Sequence, residues 1–350
     1  MKRLPPKNRL VNKIKNTLLV DGNSLYKRGF IGARNEYNSK GEHIGGTYQF
    51  ITVLRKLLND NLYHNCYTFW DGEFSGKLRW EIYKDYKSGR GKDYINGTKP
   101  DDIEEVYQRK VVFNYLEELF IRQLTDDKVE SDDFIAYYCK LRKKSENITV
   151  ITNDRDLCQL IDDNVRVYLL DLKTYVDKNT FKYFFDYHYT NVVLVKMLCG
   201  DNSDSIKGIK RVGVGTLLKH FPELKKQQVS LDEIINKAKV IQKSRVDSKK
   251  KPLQALDNII NKITDGIQGK KIYEINKILI DLSNPLLTEE SKYNFNELIT
   301  SKLSEDDRSI KNAYKMLKKD GIDKVIGETR YKEYLLPFKK LMEREKNNNI

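Results

Sequence analysis

Residues 129–156 read VESDDFIAYYCKLRKKSENITVITNDRD, and the reading of this stretch decides the fold. Phe134, Ile135, Tyr138 and Leu141 recur at helical spacing, so a helix opens here with Glu130, Asp132 and Asp133 in or beside its first turn. Glu130 and Asp133 then share one face of it. Residues 148–152 are a β-branched run of strand length that ends in Asn153, Asp154, Arg155 and Asp156, and a second apolar helix is expected from Leu157. Open parallel sheets bind ligands outside the C-terminal ends of their strands, so these five carboxylates point toward one crevice. Carboxylates brought that close raise one another's pKa and destabilise the fold unless a divalent cation offsets them. Either cluster by itself also fits ordinary capping, because acids in a first turn favour the helix dipole.

Working outward, the same pattern recurs. Residues 17–20 read as a buried strand with Asp21 at its C-terminal end in LLVDGNSLYKRGF; Gly22 and Asn23 allow the tight turn, and a helix starts near Ser24. A Gly-rich loop at 41–46 precedes a helix over 47–58, and the strand-like residues 66–70 end in Asp71-Gly72. One Asp-Gly is only a turn signal, but three acid-tipped strands plus an acidic helix start are hard to attribute to turns. Residues 166–171 give a further strand. The pattern predicts an α/β fold: a central, mostly parallel sheet flanked by helices in a nuclease core over 17–200, with a clamp region at 74–105.

The 350 residues suffice for one large or two modest domains, and the apolar fraction of 39% supports a folded chain. Net charge is +14, and residues 205–251 alone hold thirteen Lys/Arg against four Asp/Glu. A basic region beside an acidic constellation suggests a polyanion partner, most simply nucleic acid; a solvated basic surface is the plainer alternative. Cys66, Cys139, Cys158 and Cys199 are widely spaced within apolar runs, which excludes a paired-cysteine zinc site and reads as reduced core residues. No segment has the length and apolarity of a signal core or a membrane span, so a cytoplasmic, nucleoid-associated protein without membrane contact is expected.

Residues 1–16 carry six Lys/Arg and no acid, a basic arm. Residues 74–100 interleave seven Lys/Arg with Trp80, Tyr83, Tyr86 and Tyr94, cations for phosphate and rings for stacking. Near residue 200 the chain reads VVLVKMLCGDNSDSIKGIKRVGVGTLLKHF: Asp201 and Asp204 flank a turn after an apolar helix, and the Gly-rich residues 208–215 lead into another. Backbone N–H groups at such a turn suit phosphate. Residues 201–304 are expected to be a helical DNA-binding region with a Lys-rich insertion at 223–271, and 305–350 a basic helical extension. Tyr334, Leu335, Leu336 and Phe338 make an apolar patch there that either docks a partner or packs on its own domain.

The motifs LLVDGNSL, FWDGEF, YKSGR, VESDD, ITNDRDLCQLI and GDNSDSI occur in one order from residue 18 to about 206. Together they resemble the 5′-nuclease family: flap endonucleases, the 5′-nuclease domain of bacterial DNA polymerase I, and phage RNase H-type 5′-to-3′ exonucleases. The resemblance implies that Asp21, Asp71, Glu130, Asp132, Asp133, Asp154, Asp156, Asp201 and Asp204 form a carboxylate cluster holding two Mg²⁺ ions, with Mn²⁺ as substitute. It places Lys87 and Arg90 on the scissile phosphate as catalytic groups alongside Asp21, Asp71 and Asp154. It also sets Tyr86 against a base, with Lys84 beside it. A helical hairpin with Gly208, Lys210, Arg211, Gly213, Gly215, Thr216 and Lys219 is implied to grip DNA and to hold K⁺. Arg211 and Gly215 depart from the family there, while Gly208, Gly213 and Thr216 match.

The implied activity is metal-dependent hydrolysis of phosphodiester bonds from the 5′ side, in DNA carrying a 5′ flap or 5′ end or in an RNA/DNA hybrid, with removal of replication primers as the role. The implied protein is a monomer, with a replication clamp or single-strand-binding protein as a candidate recruiter. Two other readings share these features. A structure-specific binding module that does not cut has no use for nine acids beside a phosphate path, and a PIN-type ribonuclease is usually shorter and lacks the Asp201/Asp204 pair with its following basic helices.

Overall fold

A computed structural model describes residues 15–88, 100–302 and 308–348. Five parallel strands and one antiparallel edge strand form its sheet, in the order β3-β2-β1-β4-β5-β6. These are β1 (Asn16–Asp21), β2 (Asn65–Asp71), β3 (Arg122–Asp126), β4 (Asn147–Thr152), β5 (Val165–Leu169) and β6 (Thr174–Val176). Strand order reverses between β1 and β4, which opens the crevice at the C-terminal edge that a doubly wound sheet uses for ligands. β1 and β4 are buried along almost their whole length, as expected of strands covered on both faces.

Helices α1 (Gly22–Gly32), α2 (Gly45–Asp60) and α4 (Pro100–Glu118) cover one face of the sheet, and α5 (Ser131–Leu141) the other; the short α3 (Lys77–Ile82) follows β2. The turn from β1 into α1 is tight because Gly22 lies against the Trp70 indole, where a Cβ would come within 2.4 Å of the ring. The segment expected to start a helix at Leu157 is a single 3₁₀ turn, Arg155–Leu160. Asp154 caps it, and Ile161 returns to extended backbone, so six residues leave no room for α-helical pairing.

A second body of packing holds α6 (Val192–Cys199), the ribbon β7 (Gly200–Asp201) and β8 (Ile206–Lys207), α7 (Val214–His220), α8 (Leu231–Asp247), α9 (Gln254–Asn261) and α10 (Ile272–Ile280). Tyr83 and Tyr86, from just beyond α3, are buried in this cluster and tie the clamp region to it. The Lys-rich stretch breaks between α8 and α9, at the Lys-Lys-Pro run. α11 (Glu289–Thr300) returns to the sheet, where Phe295 stacks on Phe69 and Phe134.

The chain ends in α12 (Ile310–Lys319), α13 (Ile322–Ile326), α14 (Glu328–Tyr334) and α15 (Leu336–Asn348). Tyr334, Leu335 and Phe338 are buried against the core that α2 and α4 share, so the terminal apolar patch packs on its own domain. All four cysteines are free thiols; three are buried and Cys199 is half-buried. Among the described residues, no helix is long and apolar enough to cross a membrane.

Candidate active site

The sheet register sets the crevice. Val20 pairs with Ile151, so Asp21 stands level with Thr152, whose Oγ1 donates to Asp21 Oδ2 at 2.7 Å. The other oxygen, Oδ1, accepts the Ser24 N–H at 3.0 Å and caps α1. Asp21 pairs with Phe69 on β2, so Asp71 projects two residues further, where its Oδ1 accepts the Ser131 N–H at 2.7 Å and fastens the start of α5. Asp154 follows β4 and accepts the Asp156 N–H at 2.7 Å. Asp132 comes from the first turn of α5.

These four carboxylates and Glu130 line a single cavity of about 850 Å³. Their proximity is felt electrostatically. Burial first, and then the Asp71 charge, push the Asp21 carboxyl up to about 6. Asp132 is raised well above the ordinary carboxylate range by burial, and then by Asp154, Asp21, Asp71 and Glu130. Glu130 differs: burial works to raise it, but Arg79 and Lys87 outweigh that and hold it down at about 2.

The remaining acids are placed elsewhere. Asp133 is fully buried and does not line the cavity: Arg79 reaches it at 2.5 Å through Nη1 and 3.0 Å through Nη2, and the Leu286 N–H donates to it at 2.9 Å. It is a structural acid here, because every described partner lies on the core side of α5. Asp156 and Asp201 share the Lys196 ammonium, 2.6 Å from Asp201 Oδ2 and in direct contact with Asp156 Oδ1. Asp204 accepts from the Tyr86 hydroxyl at 3.3 Å. The nine acids thus fall into a crevice group and three flanking positions. Among the described residues, no three acidic, histidine or cysteine side chains are drawn close enough to ligate one ion as they stand.

Tyr86 does not offer its ring to a base. It is 6% exposed, and its hydroxyl donates to Glu130 at 3.0 Å as well as to Asp204, so it orders carboxylates. Lys87 reaches Glu130 with its ammonium and adopts left-handed backbone, φ +55°, with its N–H on the Asp204 carbonyl at 2.9 Å. A lysine in that conformation costs about 1 kcal/mol or more, which the Asp204 contact helps to offset. Lys84 stands over the Trp80 ring at 3.6 Å. Arg90 lies outside the described residues.

At the hairpin, the carbonyl of Ile206 and the backbone of Gly208 pass so close to Gly200 (φ +79°) that a Cβ there would meet them at 2.5 Å or less. Gly208 is therefore a packing position. Arg211 takes φ +62°, the conformation that the glycine it replaces in the resemblance would adopt freely. Gly213 and Gly215 face open space, Arg211 and Lys219 are exposed, Thr216 is half-buried, and Lys210 pairs with Asp265 at 2.9 Å.

Three sets of residues went unseen in the sequence reading. Arg79, counted there among the loop cations, is buried and holds both Glu130 and Asp133. Lys196 sits inside an apolar helix. Lys27 and Arg28 on α1, Lys56 on α2 and Lys173 beyond β5 line the same cavity as the acids, giving it a basic limb. The only signal for the last set was the pair Lys27-Arg28 directly after the Asp21 turn.

Sheet, crevice and basic wall define an α/β nuclease domain joined to a helical region. Residues 16–186 match the model of the 5′-3′ exonuclease N-terminal, resolvase-like domain. The 5′-3′ exonuclease of Buchnera aphidicola subsp. Baizongia pistaciae is 29% identical over 294 residues, 81% of this chain and 94% of that protein. DNA polymerase I of Bacillus subtilis is 31% identical over 234 residues, 64% of this chain but a quarter (25%) of the polymerase. Among solved structures, T5 5′-exonuclease with bound zinc superposes with a TM-score of 0.60 at 17% identity, covering 87% of this chain and 98% of that one. The chain belongs to the 5′-nuclease family of 5′-3′ exonucleases and flap endonucleases.

Proposed function

We propose that this 5′-nuclease hydrolyses phosphodiester bonds in DNA or RNA-primed DNA from the 5′ side, with divalent ions held by the crevice carboxylates. The observation that carries the reading is the convergence of Asp21, Asp71, Asp132 and Asp154 at the end of a cavity whose other limb presents Lys27, Arg28, Lys56 and Lys173. Acids that raise one another's pKa in the absence of a cation fit a hard, oxygen-ligated ion such as Mg²⁺ or Mn²⁺. Asp21, Asp71, Asp132 and Asp154, with Glu130 beside them, would hold one ion, and Asp156, Asp201 and Asp204 a second. T5 5′-exonuclease and T5 flap endonuclease have been solved with metal ions, which supports the same assignment.

When bound, such ions supply Lewis-acid stabilisation of the phosphoryl oxygens and a water of lowered pKa. The protein does the rest. Lys87, joined by Arg90, sets positive charge against the scissile phosphate, where it matters most as negative charge accumulates in the transition state. Tyr86 and Arg79 keep Glu130 ionised and in place. The basic limb tracks the backbone of the strand being cut, and the exposed Arg211, Gly213, Gly215, Thr216 and Lys219 meet the duplex. K⁺ at this hairpin belongs to the same proposal, supported by the left-handed turn at Arg211. So do primer removal near the nucleoid, action as a monomer, and recruitment by a replication clamp or single-strand-binding protein through a surface other than the buried 334–338 patch.

The test is a 5′-end-labelled flap duplex incubated with Mg²⁺ or with EDTA and resolved on a denaturing gel. Flap-length fragments seen only with metal establish structure-specific cleavage, and mono- or dinucleotides establish stepwise exonuclease action. Asp71→Ala and Asp154→Ala should each abolish cleavage while leaving the gel shift of the same duplex largely intact. Full activity in either variant would refute the assignment.

A further inference from the structure

Lys196 stands where two carboxylates from different parts of the chain meet. Asp156 comes from the 3₁₀ turn after β4 and Asp201 from β7, and the Lys196 ammonium joins Asp156 Oδ1 to Asp201 Oδ2. All three side chains are largely withdrawn from water, 23%, 18% and 10% exposed respectively. Their supports are firm. Asp201 Oδ1 is held by the Ser203 N–H at 2.8 Å and hydroxyl at 2.6 Å, and the Asp156 N–H is fixed on Asp154. Leu194, Val195, Met197 and Leu198 anchor α6 in the helical core.

The two groups of acids therefore meet different local fields. The crevice group repels itself: its members raise one another, and Asp132 feels four neighbouring carboxylates. The Asp156–Asp201 pair already has a cation of its own. A divalent ion entering there has to compete with an ammonium for the same oxygens, and an ammonium in a partly dehydrated pocket is not a weak competitor.

We propose that Lys196 is an internal cation that closes the Asp156–Asp201 position, so that a divalent ion fills it only by displacing the ammonium, and the two ion positions load unequally. The crevice of Asp21, Asp71, Asp132 and Asp154 fills first and tightly; the Lys196 position fills second and weakly. This rests on the metal-dependent reading above. It makes Lys196 a positioning residue: it keeps two ligands ordered while the second ion is absent.

Isothermal titration of the full chain with Mn²⁺, in the absence of nucleic acid, tests it. The unaltered protein should show one tighter and one weaker site, or a single site only. Lys196→Met should strengthen the weaker site by about tenfold or more, or reveal it, because one competing charge is gone. Lys196→Gln should do the same if the methionine variant fails to fold, and Lys196→Arg, which keeps the charge, should leave the second site weak. Asp201→Asn in the Lys196→Met background should remove the gain. Unchanged or weakened second-site binding in both neutral variants, with far-UV circular dichroism and first-site binding intact, would overturn the role of Lys196. Loss of that role is distinguishable from failure of the metal reading itself, in which the unaltered protein binds no Mn²⁺ or Asp132→Asn leaves first-site binding untouched.

Discussion

Arg79 shows how much one buried charge organises here. Its guanidinium spans Glu130 and Asp133 and also donates through Nε to the Leu279 carbonyl at 3.0 Å, so α3, α5 and α10 meet on one side chain. The sequence spacing put Glu130 and Asp133 on a shared face, and they do share one; that face meets an arginine rather than an ion. Nothing in a one-dimensional pattern separates a core cation from the six other Lys/Arg of residues 74–100, because only the third dimension brings two acids over it. Arg79→Met would strand two buried carboxylates, and the expected loss is about 3–5 kcal/mol in chemical unfolding. Arg79→Lys should recover only part of it, since a single ammonium does not reproduce the forked geometry. Equal stability of the methionine variant would mean that Asp133 is neutral and the network unimportant.

Elements were legible where their burial pattern was one-sided or complete. The strands ending at Asp21, Asp71 and Asn153 are apolar or β-branched runs, and they form the middle of the sheet. β3, RQLTD, was not read as a strand: it lies at the sheet edge, and its Arg122 is buried through an ion pair with Glu345 of α15, not by apolar character. The 155–160 turn carries the apolar residues of a helix without the length. The terminal helices illustrate the limit of periodicity, which finds an apolar face but not what covers it. Phe338 is fully buried against the core shared by α2 and α4, close to Tyr334, whose carbonyl accepts from Arg55 Nε at 2.7 Å. Phe338→Ala should therefore cost about 3–5 kcal/mol in unfolding, the range for a buried aromatic. A surface docking role for this patch predicts almost no change, so a urea titration separates the two.

For the molecule as a whole, the acid crevice is a source of instability that a bound ion should relieve. Asp21 has its folded-state pKa raised from 3.8 to about 6, and Asp132 is shifted the same way. A carboxyl whose pKa rises on folding contributes stability that is fully present below 3.8 and is lost as the pH climbs through about 6; for Asp21 alone the shift corresponds to about 3 kcal/mol. Glu130 has the opposite sign, but its contribution changes only below its ordinary value of 4.5, outside this window. Glu345, raised to about 7 chiefly by burial, adds to the same downward slope but is remote from the crevice and belongs to the α15 contact. In EDTA, the melting temperature should then fall between pH 5 and pH 7.5. A saturating divalent ion binds the ionised acids of the folded state, so millimolar Mg²⁺ should raise the melting temperature at pH 7.5 and do little at pH 5. Asp21→Asn should melt higher than the unaltered protein in EDTA at pH 7.5 and lose most of the Mg²⁺ response. The Glu345 slope should survive in that variant, because Mg²⁺ does not touch it. A Mg²⁺ response of equal size at both pH values, or one that persists in Asp21→Asn, would place the ion somewhere other than the end of β1.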